Sequence, residues 1–184
     1  MVAALKSLKS RNSHSRFNKL VVGIITNSDD RVPAVLSSFG LDVSDLRYGV
    51  EADPGAFAQG TFDIDFHCMS YDVGVEKPDK RIFAAADSML QRIIAMRQDH
   101  DSADSGWHSP HWQRVYVGDE HAKDIVGALD AGWNPVLLDT DNGADGIVDV
   151  NEHSAETLDD LFEENSVVKT SSIENLTSWL TGRS

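Results

Sequence analysis

The chain alternates between short apolar runs and stretches of helical period. Residues 20–26 (LVVGIIT) are apolar and largely β-branched up to the closing threonine, the pattern of a strand buried on both faces. Residues 114–117 and 134–138 (NPVLL) read the same way, and shorter strands are predicted at 65–69 and 167–168. Helical periodicity fills the spaces between them. Residues 2–10 put Ala3, Ala4, Leu5 and Leu8 on one stripe. Residues 31–39 follow a polar Asn27-Ser28-Asp29-Asp30 that can cap them, and stop at Gly40. Lys77-Pro78-Asp79 opens a helix from residue 80 to about 97, with proline where a first turn tolerates it. Further helices are predicted at 124–131, 157–164 and 172–180. Residues 41–61 show no clear period, residues 139–166 are mostly acidic and loop-like, and there is no internal repeat.

Buried strands alternating with helices imply an α/β fold: a three-layer, Rossmann-like parallel sheet with helices on both faces. A single domain over residues 1–184 is expected, with a polar, turn-rich surface insertion at about 98–113 (QDHDSADSGWHSPHWQ). Ligands of such sheets bind at the carboxyl ends of the strands. Thr26-Asn27 and Gly118-Asp119 both fall just past a predicted strand end, where they would face one crevice.

Composition narrows the function. The chain has 184 residues, 41% of them hydrophobic, enough for one ordinary core. No apolar run approaches the ~20 residues that span a bilayer, so no membrane partner is expected. The net charge of -14 (16 basic, 30 acidic residues) argues against nucleic acid, whose phosphates it would repel. It leaves room for a small phosphorylated molecule, because one metal ion inverts the local field. A single cysteine, Cys68, can form no internal disulfide and fits a reducing, intracellular place, cytoplasmic or nuclear. No acid precedes Asp29, whereas Lys6, Lys9, Arg11, Arg16 and Lys19 do. That is the composition of a mitochondrial transit peptide. The plainer reading, an amphipathic helix and a basic loop, is preferred.

The polar groups at the strand ends suggest chemistry. Asp119 leaves its strand at a glycine, and Asp124 near the next helix start can curl back toward it. Two carboxylates around one point suit a hard cation, most naturally magnesium. The plainer reading is that Asp124 caps a helix and Asp119 ends a strand. Thr26 and Asn27 offer a hydroxyl and an amide suited to phosphate oxygens, or else a helix cap. Lys77 offers an ammonium at a helix start, or else a solvated side chain.

Taken together and in chain order, these groups resemble the haloacid dehalogenase-like (HAD) hydrolase superfamily. GIITNSDD is similar to its second motif, GVEKPDKRIF to its third and VYVGDEHAKDIVGALDAGW to its fourth. The stretches VPAVLSSFGLDV and FDIDFHCMSYDVGVEKPDKRIF are especially similar to the subgroup holding human HAD-domain proteins of unassigned substrate. The resemblance spans roughly residues 2–140. It implies a magnesium-dependent phosphatase in which an aspartate attacks a phosphate ester. Thr26 and Asn27 would bind the phosphoryl oxygens, Lys77 would stabilise nucleophile and phosphate, and Asp119 and Asp124 would hold magnesium.

The resemblance also implies a nucleophile that this chain does not offer. In the superfamily it is the first Asp of a DxD motif after an apolar strand, upstream of the other motifs. Only 19 residues precede the 20–26 strand here, and none is acidic. Asp63-Ile64-Asp65 is a DxD, but it lies downstream and AFAQGTF before it is no apolar strand. Asp63 is therefore read as a decoy. The chain is expected to be the carboxyl-terminal portion of such a protein, without the cap or the central first strand. Losing that strand leaves backbone unpaired on two neighbours. Direct closure of the halves or marginal stability is expected, and a protein partner at the exposed sheet edges is the further expectation. The competing function is a non-catalytic remnant that binds magnesium, phosphate or another protein. A receiver domain is rejected because its acid pair comes first in the chain, and a dinucleotide-binding fold because G-x-G-x-x-G is absent.

Other features have bland readings. His100, His108 and His111 with Asp99, Asp101 and Asp104 could hold a metal but belong to the polar insertion. Trp107 and Trp112 would pack that insertion onto the body. Cys68 is read as a small core residue, and the acids of 159–164 as a solvated face.

Overall fold

The computed structural model describes residues 1–9, 15–51, 62–100 and 112–182, without the side chains of 99 and 100. The chain divides into two compact units, one of Lys19–His111 and the other of Ala3–Asn18 with Trp112–Ser184. In place of the single expected sheet, the described strands form two, one of two strands and one of four.

The unit of Lys19–His111 contains β1 (Gly23–Thr26), α1 (Val32–Ser38), β2 (Phe66–Met69), α2 (Ser70–Val73) and α3 (Lys80–His100). β1 pairs in parallel with β2, from Gly23 opposite Phe66 to Thr26 opposite Met69. Gly23 is demanded here: a Cβ would lie 2.1 Å from the Phe66 ring. On its other side β2 meets the aperiodic segment near 43–47 through single bridges at Val43–Ile64 and Arg47–His67. β2 is thus an inner strand and wholly buried, whereas β1 is an edge on which only Ile25 is buried. That departs from the both-faces burial its sequence predicts. β1 and β3, the motif-bearing strands, belong to different sheets.

α3 supplies the apolar floor. Ile82, Phe83, Ala86, Met89 and Ile93 recur at helical spacing and are 0–4% exposed. Each large side chain so buried contributes about 1.5–3 kcal/mol. The helix runs to His100 rather than ending near 97, so the first residues of the expected insertion are helical. His108, His111, Asp101, Asp104 and Trp107 lie outside the described residues, as do the side chains of Asp99 and His100. α1 begins at Arg31 without a side-chain cap. The expected cap is diverted: Asn27 turns to Lys77, and Asp29 binds Arg31.

His67 on β2 is 4% exposed. Its Nε2 lies 3.0 Å from the Ser44 carbonyl, so that nitrogen is the donor, and Nδ1 is buried without a hydrogen-bond partner. Burial first, opposed by the Ser44 bond and seconded by nearby Arg47, pulls its pKa below the ordinary value. The unfolded chain therefore takes up a proton at higher pH than the folded one. Stability contributed by neutral His67 should be intact above about pH 6.5 and fall as pH drops from there toward the folded pKa. Urea midpoints at pH 7.5 and 5.5 measure this, and His67→Gln should flatten part of the decline. An equal decline in the variant would assign the effect to other groups.

The second unit contains α4 (Val2–Lys9), β3 (Val115–Gly118), a π-helical turn (His121–Ile125), α5 (Val126–Asp130), β4 (Asn134–Leu138), β5 (Val148–Asp149), α6 (Leu158–Glu164), β6 (Val168–Thr170) and α7 (Ile173–Thr181). Its sheet is parallel, in the order β3-β4-β6-β5. Val136, Val150, Leu161, Val168, Leu176 and Trp179 form its core. Thr157 and Asp160 make a reciprocal capping box on α6, and Ser172 caps α7. Basic Arg16 is tied to α7: its backbone donates to the Leu180 carbonyl and its guanidinium to that of Trp179, 4.5 Å above the indole.

Candidate functional site

The predicted residues fall into two groups, one in each unit, each at the carboxyl end of a parallel strand. In the first, Thr26 ends β1 half-buried, and Asn27 follows it. The Lys77 backbone N–H donates to Asn27 Oδ1 at 2.7 Å, and Asn27 Nδ2 donates back to the Lys77 carbonyl at 3.2 Å. One asparagine side chain thus clasps one residue's backbone from 50 positions away. The turn is stitched a second time where Ser28 offers its carbonyl to the Tyr71 N–H at 3.3 Å and to Ser70 Oγ at 3.4 Å. Beside it Arg47 grips Asp72, with Nε 2.8 Å from Oδ2.

In the second group, β3 ends at Gly118, Asp119 is exposed and Asp124 is 3% exposed. Successive strand residues alternate faces, so Tyr116 and Gly118 share one. Both meet Asp124. The Tyr116 hydroxyl donates to Oδ1 at 3.2 Å, and a Cβ on Gly118 would stand 2.4 Å from Oδ2 and Cγ. The π-helical turn closes the arrangement: the Asp124 N–H donates to the Glu120 carbonyl at 2.7 Å, and the Glu120 N–H returns to Oδ2 at 3.0 Å. Burial, then Asp124 and also Asp119, raises the Tyr116 pKa, so both acids act on one hydroxyl.

The donor chemistry fits magnesium in part. Two carboxylates suit an ion that keeps several waters and takes the rest of its shell from substrate phosphate. Among the described residues no cluster of three His, Cys, Asp or Glu could hold a metal.

The decoy acids are structural. Asp63 Oδ2 accepts from the Asp42 N–H at 2.8 Å. Asp65 accepts from the Val22 N–H and from Arg97, each at 2.7 Å. Cys68 is fully buried, and burial first, then Asp72, pushes its thiol up to about 12, so it stays protonated. Sequence reasoning missed Tyr116. The signal was a hydroxyl in an otherwise apolar strand, on the same face as Gly118.

No protein-family profile matches the chain. It is 28% identical over 129 residues to an uncharacterized protein of Schizosaccharomyces pombe named as a hydrolase, covering 70% of this chain and 42% of that one. It is 27% identical over 140 residues to an uncharacterized protein of Saccharomyces cerevisiae, covering 76% and 37%. The crystal structure of a HAD phosphatase from Thermococcus onnurineus matches with a TM-score of 0.55 at 18% identity, over 98% of this chain and 56% of its own. The chain carries a HAD-phosphatase-like fold. It spans about two fifths of the length of both yeast proteins. At this identity the HAD likeness speaks of fold alone. No helix of the described residues is long and apolar enough to cross a membrane.

Proposed function

We propose that the chain is part of a HAD-like, magnesium-dependent phosphatase-type hydrolase acting on a small phosphorylated molecule. The observation that carries this reading is the placement of both polar groups at carboxyl ends of parallel strands on a HAD-like fold. Thr26, Asn27 and Lys77 form the phosphoryl-binding group. The Thr26 hydroxyl donates to a phosphoryl oxygen, and the Lys77 ammonium offsets its charge. Asp119 and Asp124 would hold magnesium, which as a Lewis acid polarises the phosphoryl group. Tyr116 and the Glu120 N–H keep the Asp124 carboxylate in one orientation. The single buried thiol suits an intracellular place.

Asp63 and Asp65 are committed to backbone amides, so neither is read as the attacking aspartate. On that reading a central first strand would carry it, and β1, apolar up to Thr26, with only Ile25 buried and paired on one side among the described strands, supports it. The same edge favours the alternative, a non-catalytic remnant that pairs with another protein. Magnesium-dependent release of p-nitrophenol from p-nitrophenyl phosphate separates the two. The 184 residues alone should give none. A longer natural polypeptide with an upstream Asp-x-Asp should turn over, and Asp119→Asn should abolish that turnover. An inactive longer polypeptide would leave the remnant. Turnover by the 184 residues, lost on Asp119→Asn, would restore Asp63 as the nucleophile.

A further inference from the structure

We infer that Asn27 is a positioning residue that acts on a bound phosphoryl group through Lys77 rather than by touching it. The inference rests on the phosphoryl-binding reading of Lys77. Its basis is geometric. Both polar atoms of the Asn27 amide are engaged with the backbone of one residue, Oδ1 with the Lys77 N–H at 2.7 Å and Nδ2 with the Lys77 carbonyl at 3.2 Å. Oδ1, which can only accept, and one of the two Nδ2 donors are both held by Lys77, so the plane of the amide is set by that residue rather than turned to present both donors to an anion. Here the acceptor and the donor together match the N–H and C=O of one residue, as a residue of a neighbouring antiparallel strand would.

The consequence concerns a long, flexible side chain. A lysine stem has four rotatable bonds and binds anions as a point charge, so its reach is set by where its Cα is anchored. The 77–78 segment belongs to no strand or helix. Asn27 supplies the anchor that secondary structure does not. It sits one residue past Thr26, so the clasp sets the root of the lysine against the strand end that carries the hydroxyl. Sequence proximity puts Asn27 beside the phosphoryl site, but the fold spends its amide on the residue that reaches it.

A double-mutant cycle tests this, with inorganic phosphate titrated by 31P NMR in the presence of magnesium, on the 184-residue chain as wild type, Asn27→Ala, Lys77→Met and the double variant. Asn27→Ala should weaken phosphate binding about tenfold, as loss of two hydrogen bonds allows. It should weaken it no further in the Lys77→Met background, because residues acting as one unit are not additive. Full additivity would mean that Asn27 contacts phosphate directly, and would overturn the inference. Phosphate affinity unchanged by Lys77→Met, or absent in the wild type, would instead overturn the phosphoryl reading of Lys77 and the role of Asn27 with it. Should Asn27→Ala fail to fold, hydrogen exchange in the wild type still decides. The Lys77 amide should exchange slowly, and exchange at the rate of an open loop would show that the clasp does not form.

Discussion

Arg97→Ala should destabilise the unit of Lys19–His111 by about 3–5 kcal/mol, the usual cost of leaving one member of a buried ion pair behind. Asp65 is 1% exposed at its side chain, and Arg97 14%. The guanidinium approaches Asp65 Oδ1 at 2.7 Å while the Val22 N–H holds Oδ2 at the same distance. This aspartate therefore ties three segments: the entry to β1, its own approach to β2, and the far end of α3. Without Arg97 its negative charge stays inside. A domain whose whole stability is about 5–15 kcal/mol can lose most of it this way. Asp65→Asn in the Arg97→Ala background should recover part of the loss, since it removes the charge and keeps an acceptor for Val22. Urea unfolding followed by circular dichroism measures both. A loss below about 1 kcal/mol, the range of exposed pairs, would show that Asp65 is not the buried charge described.

Gly118→Ala should have the second large effect, split between stability and metal. The added Cβ would stand 2.4 Å from the Cβ, Cγ and Oδ2 of Asp124. Asp124 cannot swing clear cheaply. Its Cβ is fixed to the π-helical turn, and its carboxylate is held by the Tyr116 hydroxyl and the Glu120 N–H. Overpacking of this kind costs about 1–3 kcal/mol. If Asp124 is a cation ligand, its displacement should weaken Mn2+ binding, read by electron paramagnetic resonance, by at least the tenfold that outer-shell changes produce. Tyr116→Phe removes one hydrogen bond to that carboxylate without adding bulk, so it should weaken Mn2+ less than Gly118→Ala. Unchanged Mn2+ affinity in Gly118→Ala would remove Asp124 from the ligand set.

The element pattern was readable residue by residue wherever a run was long or strongly apolar. NPVLL is β4 at its predicted bounds, and the predicted α3, α6 and α7 lie within three residues of where they form. The two-residue β5 and the four-residue α2 were not read, because so short an element has no measurable period. The last two residues of the π-helical turn were read as the start of an α-helix for a related reason. Over five residues a slightly wider turn leaves the same apolar spacing.

The places of Thr26-Asn27 and Gly118-Asp119 at strand ends were legible for a local reason: an apolar run must end, and the polar residue that ends it sits at the mouth. Their partners were not. Asn27 reads as a helix cap or an anion ligand until the fold brings Lys77 to it. Asp63 and Asp65 read only as a decoy DxD, and what they hold appears when they meet Asp42, Val22 and Arg97. Tyr116 reads as apolar filler until Asp124 turns back beneath its hydroxyl. Burial was equally a tertiary matter. β1 is the more apolar run and β2 carries His67, yet only Ile25 of β1 is buried and β2 is enclosed, because enclosure depends on what lies on both sides of a strand. Residue type and period thus decided which segments are strands and helices and which polar groups close them. Contacts between residues tens of positions apart decided what each of those groups holds.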